Sequence, residues 1–228
     1  RDLGIGGCMM LADAVSDVKN NGAMTNVLAI TSNPEPDSMT HAVAAALLQG
    51  AQSEHAQGTL LDLYDAGFNP VYGLEDREHY LGHAPIPDDL RDIQRRVAEA
   101  DVLALVFPIY WYTMPAMMKG FFDRVLCRGF AYEAGSGKPM RLAGKTVRII
   151  ALTGGSQSWY ESSGVDAALR NQICEQTFGK YCGVADADLL YVDNLVMGDD
   201  EPDHRHAAES QLTKITELGA AVVRRLMR

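Results

Sequence analysis

Three short stretches of the 228-residue chain carry the groups best suited to hold a ligand and work on it. "TSNPEPDSMTHA" brings Asn33, Ser38 and Thr40 to the start of an expected helix. Hydroxyls and free backbone N–H groups at the positive end of a helix can hold a phosphate, although a plain helix cap uses the same residues. "PIYWYTMP" sets Tyr110, Trp111 and Tyr112 between Pro108 and Pro115. A turn forced by prolines buries three large rings poorly, so this aromatic surface suits either a core edge or a platform for a flat molecule. "LTGGSQSWYESSG" supplies Gly154 and Gly155, where backbone can approach a ligand closely. Thr153 and Ser156 add hydroxyls there, and Tyr160 a phenol that can donate a hydrogen bond. A flexible surface turn is the plainer reading of that stretch.

The elements needed to position these loops follow from the pattern of apolar residues. Short apolar runs over 26–32, 59–64, 101–108, 145–153 and 187–196 predict buried strands. Helical spacing after Ser38, over Leu90–Ala100, after Pro115 and over Leu212–Leu226 predicts the helices between them, and a loop and helix fill the chain to about residue 180. Residues 65–87, rich in Gly, Pro and charge, read as a long irregular excursion. Such strand–helix alternation predicts a three-layer α/β/α sandwich around a five-stranded parallel sheet. In the strand order 2-1-3-4-5, ligands bind beyond the carboxyl ends of strands 1, 3 and 4. Those three strands precede the three unusual loops.

Composition narrows the partners. A net charge of −10 disfavours nucleic acid and anionic membranes, which reward basic patches. No apolar run is long enough to cross a bilayer. Cys8, Cys127, Cys174 and Cys182 have no CxxC or metal-ligand spacing and read as reduced thiols of a cytoplasmic protein. The six histidines show no metal-ligand spacing either and read as surface residues. A GxGxxG fingerprint is absent, which argues against direct dinucleotide binding at the first loop. Residues 1–23 are expected to be a loosely ordered N-terminal extension, and 24–228 a single domain.

"FPIYWYTMPAMMKGFFDRVLCRGFAY" together with "TGGSQSWYESSG" resembles the flavodoxin-like NAD(P)H:quinone oxidoreductases, over most of 25–227. The resemblance implies a flavin, FAD with FMN as the alternative, and NAD(P)H as co-substrate. It assigns Asn33, Ser38, Met39 and Thr40 to the flavin phosphate and ribityl chain, and Pro108, Ile109, Tyr110, Trp111 and Tyr112 to the isoalloxazine ring. Leu152, Thr153, Gly154, Gly155 and Tyr160 match the loop at the ring's pyrimidine end. Arg205 matches a residue on the adenylate side of FAD. Ala131, Tyr132 and Glu133 match a segment that approaches the substrate from a partner subunit, with Trp111 also facing substrate. Tyr160 is the expected catalytic donor. The well-known members pair that Tyr with a His six residues on; Asp166 stands there in this chain and is the second expected catalytic residue.

The expected activity is two-electron transfer from NAD(P)H through a bound flavin to a quinone or similar flat acceptor, in a homodimer. Three alternatives remain open at this level: an azo- or nitro-compound reductase, a flavin-binding regulatory subunit of a membrane transporter, and a one-electron flavodoxin.

Overall fold

In a computed structural model, residues 24–133, 141–184, 186–195 and 202–228 are described, with side chains from 206 onward in the last segment. Five parallel strands form one sheet in the order 2-1-3-4-5: β1 (Asn26–Thr31), β2 (Gln57–Asp62), β3 (Val102–Pro108), β4 (Thr146–Leu152) and β5 (Asp186–Val192). The order reverses between β1 and β3, as expected.

Alternation along the strands divides the core into two layers. Leu28, Ile30, Leu103, Leu105 and Phe107 point to one face and pack with Met118, Phe121 and Phe122 of α4 (Ala116–Val125). Val27, Ala29, Ala104 and Val106 point to the other and pack with Val43 and Leu47 of α1 (Met39–Ser53) and Ile215 and Val223 of α7 (Pro202–Leu226). Residues 102–107 are buried throughout, because helices cover both faces of a parallel sheet. Glycines set how closely α1 and α7 cross. A Cβ on Gly50 would overlap the Thr216 carbonyl, and one on Gly219 would overlap the Leu47 carbonyl. Each glycine therefore admits the backbone of the other helix.

The strands match the expected ones with shifts of a few residues; β2 runs 57–62 rather than 59–64, and β5 ends at Val192 rather than 196. The excursion at 65–87 is the larger correction. It contains a helix, α2 (Leu74–Leu81), ended by Gly82 in left-handed conformation at φ 80°. Its sequence, LEDREHYL, is polar almost all round and gives no apolar stripe. What holds it is a buried carboxylate. Asp76 receives the Arg124 Nε at 3.0 and 3.1 Å, and it caps the Gly73 N–H at 2.7 Å. Arg124 also donates to the Asn69 carbonyl and to Asp89, which stands in the 3₁₀ turn before α3 (Arg91–Glu99).

The segment after β4 is also more broken than a single helix. It comprises α5 (Gln157–Ser162), α6 (Val165–Leu169) and a π-helical stretch over Arg170–Tyr181. Residues 1–23 and the side chain of Arg205 lie outside the described residues. No described helix is long and apolar enough to cross a membrane.

Candidate active site

Backbone hydrogen bonds carry the sheet register past the strand ends and tie the three loops together. Ser32 N–H donates to the Val106 carbonyl at 3.3 Å, Ile109 N–H to Leu152 at 2.9 Å, and Thr153 N–H to Val192 at 3.0 Å. The loops after β1, β3 and β4 therefore sit side by side over the point where strand order reverses.

The first loop is built around the start of α1. Asn33 donates to Thr40 Oγ1 at 3.0 Å and accepts the Glu35 N–H at 3.0 Å, which shapes the loop as an Asx turn. No side chain caps α1, and the N–H groups of Met39 and Thr40 donate to no described partner. Beside this helix end, the hydroxyls of Thr31 and Ser32 are buried with no hydrogen-bond partner among the described residues. Buried polar atoms left in this way call for a ligand or water.

His41 departs from the surface role expected of it. Its side chain is only 13% exposed, with Nδ1 2.9 Å from Ser38 Oγ and Nε2 2.9 Å from Asp62 Oδ2. The available signal was a Ser and a His three residues apart in a first helical turn, with an Asp closing the adjacent strand. Apolar periodicity does not report such a pairing.

The aromatic loop is a tight reversal. Tyr110 and Thr113 exchange main-chain hydrogen bonds of 2.9 and 3.1 Å, and between them Trp111 and Tyr112 take φ values of 48° and 62°. Two successive left-handed residues in a two-residue loop define a type I′ turn, which Asn and Gly normally fill. Bulky residues there cost about 1–3 kcal/mol each. The strain holds the rings out: Trp111 is 93% exposed, while Tyr110 and Tyr112 are about half exposed.

In the third loop, Thr153 Oγ1 donates to the Gly155 carbonyl at 2.8 Å, and Asn194 N–H closes on the same carbonyl at 3.3 Å. Neither Gly154 nor Gly155 has positive φ, and a Cβ on either would make ordinary contacts. Their value lies in open N–H groups, which donate to no described partner. Tyr160 begins a run of rings. Trp159 lies 5.7 Å from Tyr112 and 5.3 Å from Tyr160, which lies 5.4 Å from Tyr191. Sequence reading missed Trp159 and Tyr191, since an aromatic in a short helix or strand end carries no mark of its partner. Burial, followed by the nearby Tyr112, pushes the Tyr160 phenol above its ordinary value, so it stays protonated at neutral pH.

Asp166 lies next to this cluster but is engaged elsewhere. Both its oxygens accept from Arg170 Nε, at 2.9 and 3.0 Å, and Arg170 also binds Asp188 and the Leu189 carbonyl. The Tyr191 hydroxyl is buried and feels the Asp166 charge, yet no hydrogen bond of good geometry joins them. Burial is the main cause of its raised pKa. Tyr132 is not brought to the crevice of its own chain: its ring packs edge-on against Tyr181 at 5.5 Å, and it lines cavities of about 200 and 290 Å³ beside α4. No group of three or more His, Cys, Asp or Glu among the described residues could hold a metal.

The donor set fits a flavin. Uncapped helix N–H groups and unpartnered hydroxyls suit a phosphate, exposed rings suit a flat ring, and the open glycine N–H groups suit carbonyl oxygens at its edge.

Residues 25–215 match a family described as having a flavodoxin-like fold. The chain is 32% identical to an NAD(P)H oxidoreductase of Escherichia coli K12, covering 83% of this chain and 94% of that one. It is also 32% identical to the mouse ribosyldihydronicotinamide dehydrogenase [quinone], over 69% of this chain and 76% of that one. Among solved structures, the NAD(P)H:quinone oxidoreductase of Methanothermobacter marburgensis superposes with a TM-score of 0.77 at 22% identity, covering 88% of this chain and 98% of that chain. An FMN-dependent NADH-azoreductase of Bacillus anthracis, in complex with FMN, superposes at 0.64 and 14%, covering 88% and 100%. The chain belongs to the flavodoxin-like NAD(P)H oxidoreductases.

Proposed function

We propose that the protein is a flavin-dependent NAD(P)H:quinone oxidoreductase that moves two electrons from NAD(P)H to a quinone or a similarly flat acceptor. The observation that carries this is the strained Tyr110–Thr113 turn, which displays three rings beside an uncapped helix start and two open glycine N–H groups. The names of the enzymes it resembles, among them a quinone dehydrogenase of mouse and a quinone oxidoreductase of M. marburgensis, support the same reading.

The bound flavin supplies hydride acceptance and donation. The chain's residues supply the rest. Ser38, Met39 and Thr40 hold the phosphate, with Asn33 shaping their loop. Pro108, Ile109, Tyr110, Trp111 and Tyr112 give the ring a water-poor wall and fix its distance from the acceptor. Leu152 and Thr153 set the loop whose open Gly154 and Gly155 N–H groups would stabilise negative charge at the edge of a bound flavin ring. Tyr160 donates a hydrogen bond from a phenol that does not ionise in the working range. Asp166 acts through Arg170, as a positioning residue for the segment that follows Tyr160.

FAD is the proposed flavin, with Arg205 toward its adenylate; an FMN-bound structure of the same fold supports FMN as the alternative. The proposed assembly is a homodimer in the cytoplasm. Val71, Tyr72, Leu74 and Tyr80 offer exposed apolar surface around α2, and Tyr132 serves the partner's crevice. Release of the cofactor by heat, read by mass and fluorescence, names the flavin. Steady-state turnover of menadione, benzoquinones and azo dyes with NADH and NADPH then ranks the acceptors. A purified chain that takes up neither FMN nor FAD overturns the assignment. Azo-dye turnover exceeding every quinone would make it an azoreductase, the reading that the B. anthracis azoreductase supports.

A further inference from the structure

Ser38, His41 and Asp62 form a line of hydrogen bonds at the mouth of the crevice: Ser38 Oγ to His41 Nδ1 at 2.9 Å, and His41 Nε2 to Asp62 Oδ2 at 2.9 Å. An ionised carboxylate only accepts, so Nε2 carries a proton. A neutral imidazole then has a bare Nδ1, which takes the Ser38 hydroxyl proton. In that arrangement Ser38 Oγ turns only lone pairs toward the helix start, where phosphate oxygens would also bring only lone pairs. Adding a proton to Nδ1 reverses the polarity. The imidazolium donates to Ser38 Oγ, the Ser38 hydroxyl becomes free to donate outward, and a positive charge backed by Asp62 stands one hydrogen bond behind it.

We propose that flavin-phosphate binding at α1 is coupled to proton uptake by His41, with Asp62 as its counter-ion and Ser38 as the hydroxyl it turns. This rests on the flavin reading above, and the proton comes from solvent with no change of redox state. The unpartnered, buried hydroxyls of Thr31 and Ser32 beside the same helix end mark independently where a polar ligand group belongs. Other titratable groups border α1. Glu35 and Asp37 lie in the loop before it, and Glu54 and His55 at its far end. Asp65 follows β2 and Asp101 precedes β3, while His206, Glu209, Lys214, Glu217, Arg224 and Arg225 lie on α7, which packs along it. Asp62 is the carboxylate found within hydrogen-bond distance of the imidazole.

The test is calorimetric titration of the flavin-free full chain with FMN, FAD and riboflavin, in buffers that differ in ionisation enthalpy. It is run at about pH 7.5, where a phosphate monoester with a second pKa near 6 is already a dianion. FAD carries no phosphate that titrates there at all. Expected is an uptake above about half a proton for FMN and FAD and none for riboflavin. His41→Gln should abolish the uptake and weaken FMN and FAD about tenfold more than riboflavin. Asp62→Asn should reduce the uptake in the same direction and serves if His41→Gln does not fold. Tight FMN or FAD binding with no uptake by the unaltered protein, or uptake that survives both substitutions, overturns this proposal and leaves the flavin reading standing. If neither flavin binds, the flavin reading itself fails, and this proposal with it.

Discussion

Trp111 and Tyr112 are successive left-handed residues, at φ 48° and 62°, held between the paired ends of Tyr110 and Thr113. Trp111 is 93% exposed and adds almost no packing, and the contact of the Tyr112 ring with Trp159 offsets only part of the strain. Replacing the pair by Asn and Gly, the residues this turn type prefers, should remove strain. The expected gain is about 1 kcal/mol, or about 2–4 °C in Tm for a chain of this size. Activity should move the other way, with kcat/KM for menadione falling at least about tenfold. Thermal melts and steady-state kinetics on one preparation decide it; a parallel loss of both would mean the rings are structural.

In the proposed mechanism Tyr160 is the donor and Asp166 a positioning group. Burial raises the Tyr160 phenol, so its neutral form persists through the ordinary range and is lost only above its usual pKa near 10. Acceptor reduction should therefore show no Tyr160 ionisation between about pH 6 and 9. Tyr160→Phe should lower kcat about 100-fold or more, with flavin still bound. Asp166→Asn breaks the contact to Arg170. It should lower stability by about 1–3 kcal/mol, with a smaller loss of kcat and an unchanged pH profile. Loss of an ionisation that the unaltered protein shows, with a fall in kcat as large as that of Tyr160→Phe, would make Asp166 a proton carrier instead.

How legible each part was depends on how far its cause lies along the chain. β3 announces itself because burial on both faces leaves an unbroken apolar run from Val102 to Phe107. The three crevice loops follow from strand order and from residue types that turns demand. α2 was not legible: LEDREHYL has no apolar stripe, and its hold comes from Arg124, 48 residues from Asp76. His41 was misread for the same reason, since Asp62 lies 21 residues away and only the pairing of β1 with β2 brings it alongside. The breaks at α5, α6 and the π-helical stretch are set by local hydrogen bonding, such as the Thr177 hydroxyl on the Gln172 carbonyl, which spacing does not reveal.

Arg148 and Asp186 fasten the outer strand at the opposite end of the sheet from the crevice. The buried Arg148 reaches both Asp186 oxygens at 3.0 Å, and this hydrogen bonding is the largest cause that lowers the Asp186 carboxyl below its usual value. A depressed carboxylate contributes stability above its unfolded pKa, near 3.9, and loses it as pH falls through the lower folded value. Asp186→Asn should therefore cost about 1–3 kcal/mol at neutral pH, because Arg148 is left with unmet donors. As pH falls below the unfolded value and through the lower folded one, the gap between the two proteins should narrow and then close. Urea melts at several pH values test this, and a constant gap down to acid would remove the ion pair from the explanation.

Arg124 binds three separate pieces of the chain to α4: the Asn69 carbonyl before α2, Asp76 within it and Asp89 before α3. Its side chain and that of Asp76 are each 5% exposed, and Phe68 lies 5.8 Å from its guanidinium carbon. Removing one member of such a pair strands a buried charge, so Arg124→Met should destabilise by about 3–5 kcal/mol. Lysine cannot reproduce a fork that donates to three acceptors, so Arg124→Lys should rescue little of that loss. Arg124→Met combined with Asp76→Leu removes both charges and should recover part of the stability, because the desolvation cost disappears with the pair. The segment from Asn69 to Asp89 should then exchange its amide hydrogens faster, while β1 and β3 keep their protection. Equal loosening across the sheet would show that Arg124 supports the whole core rather than the α2 excursion.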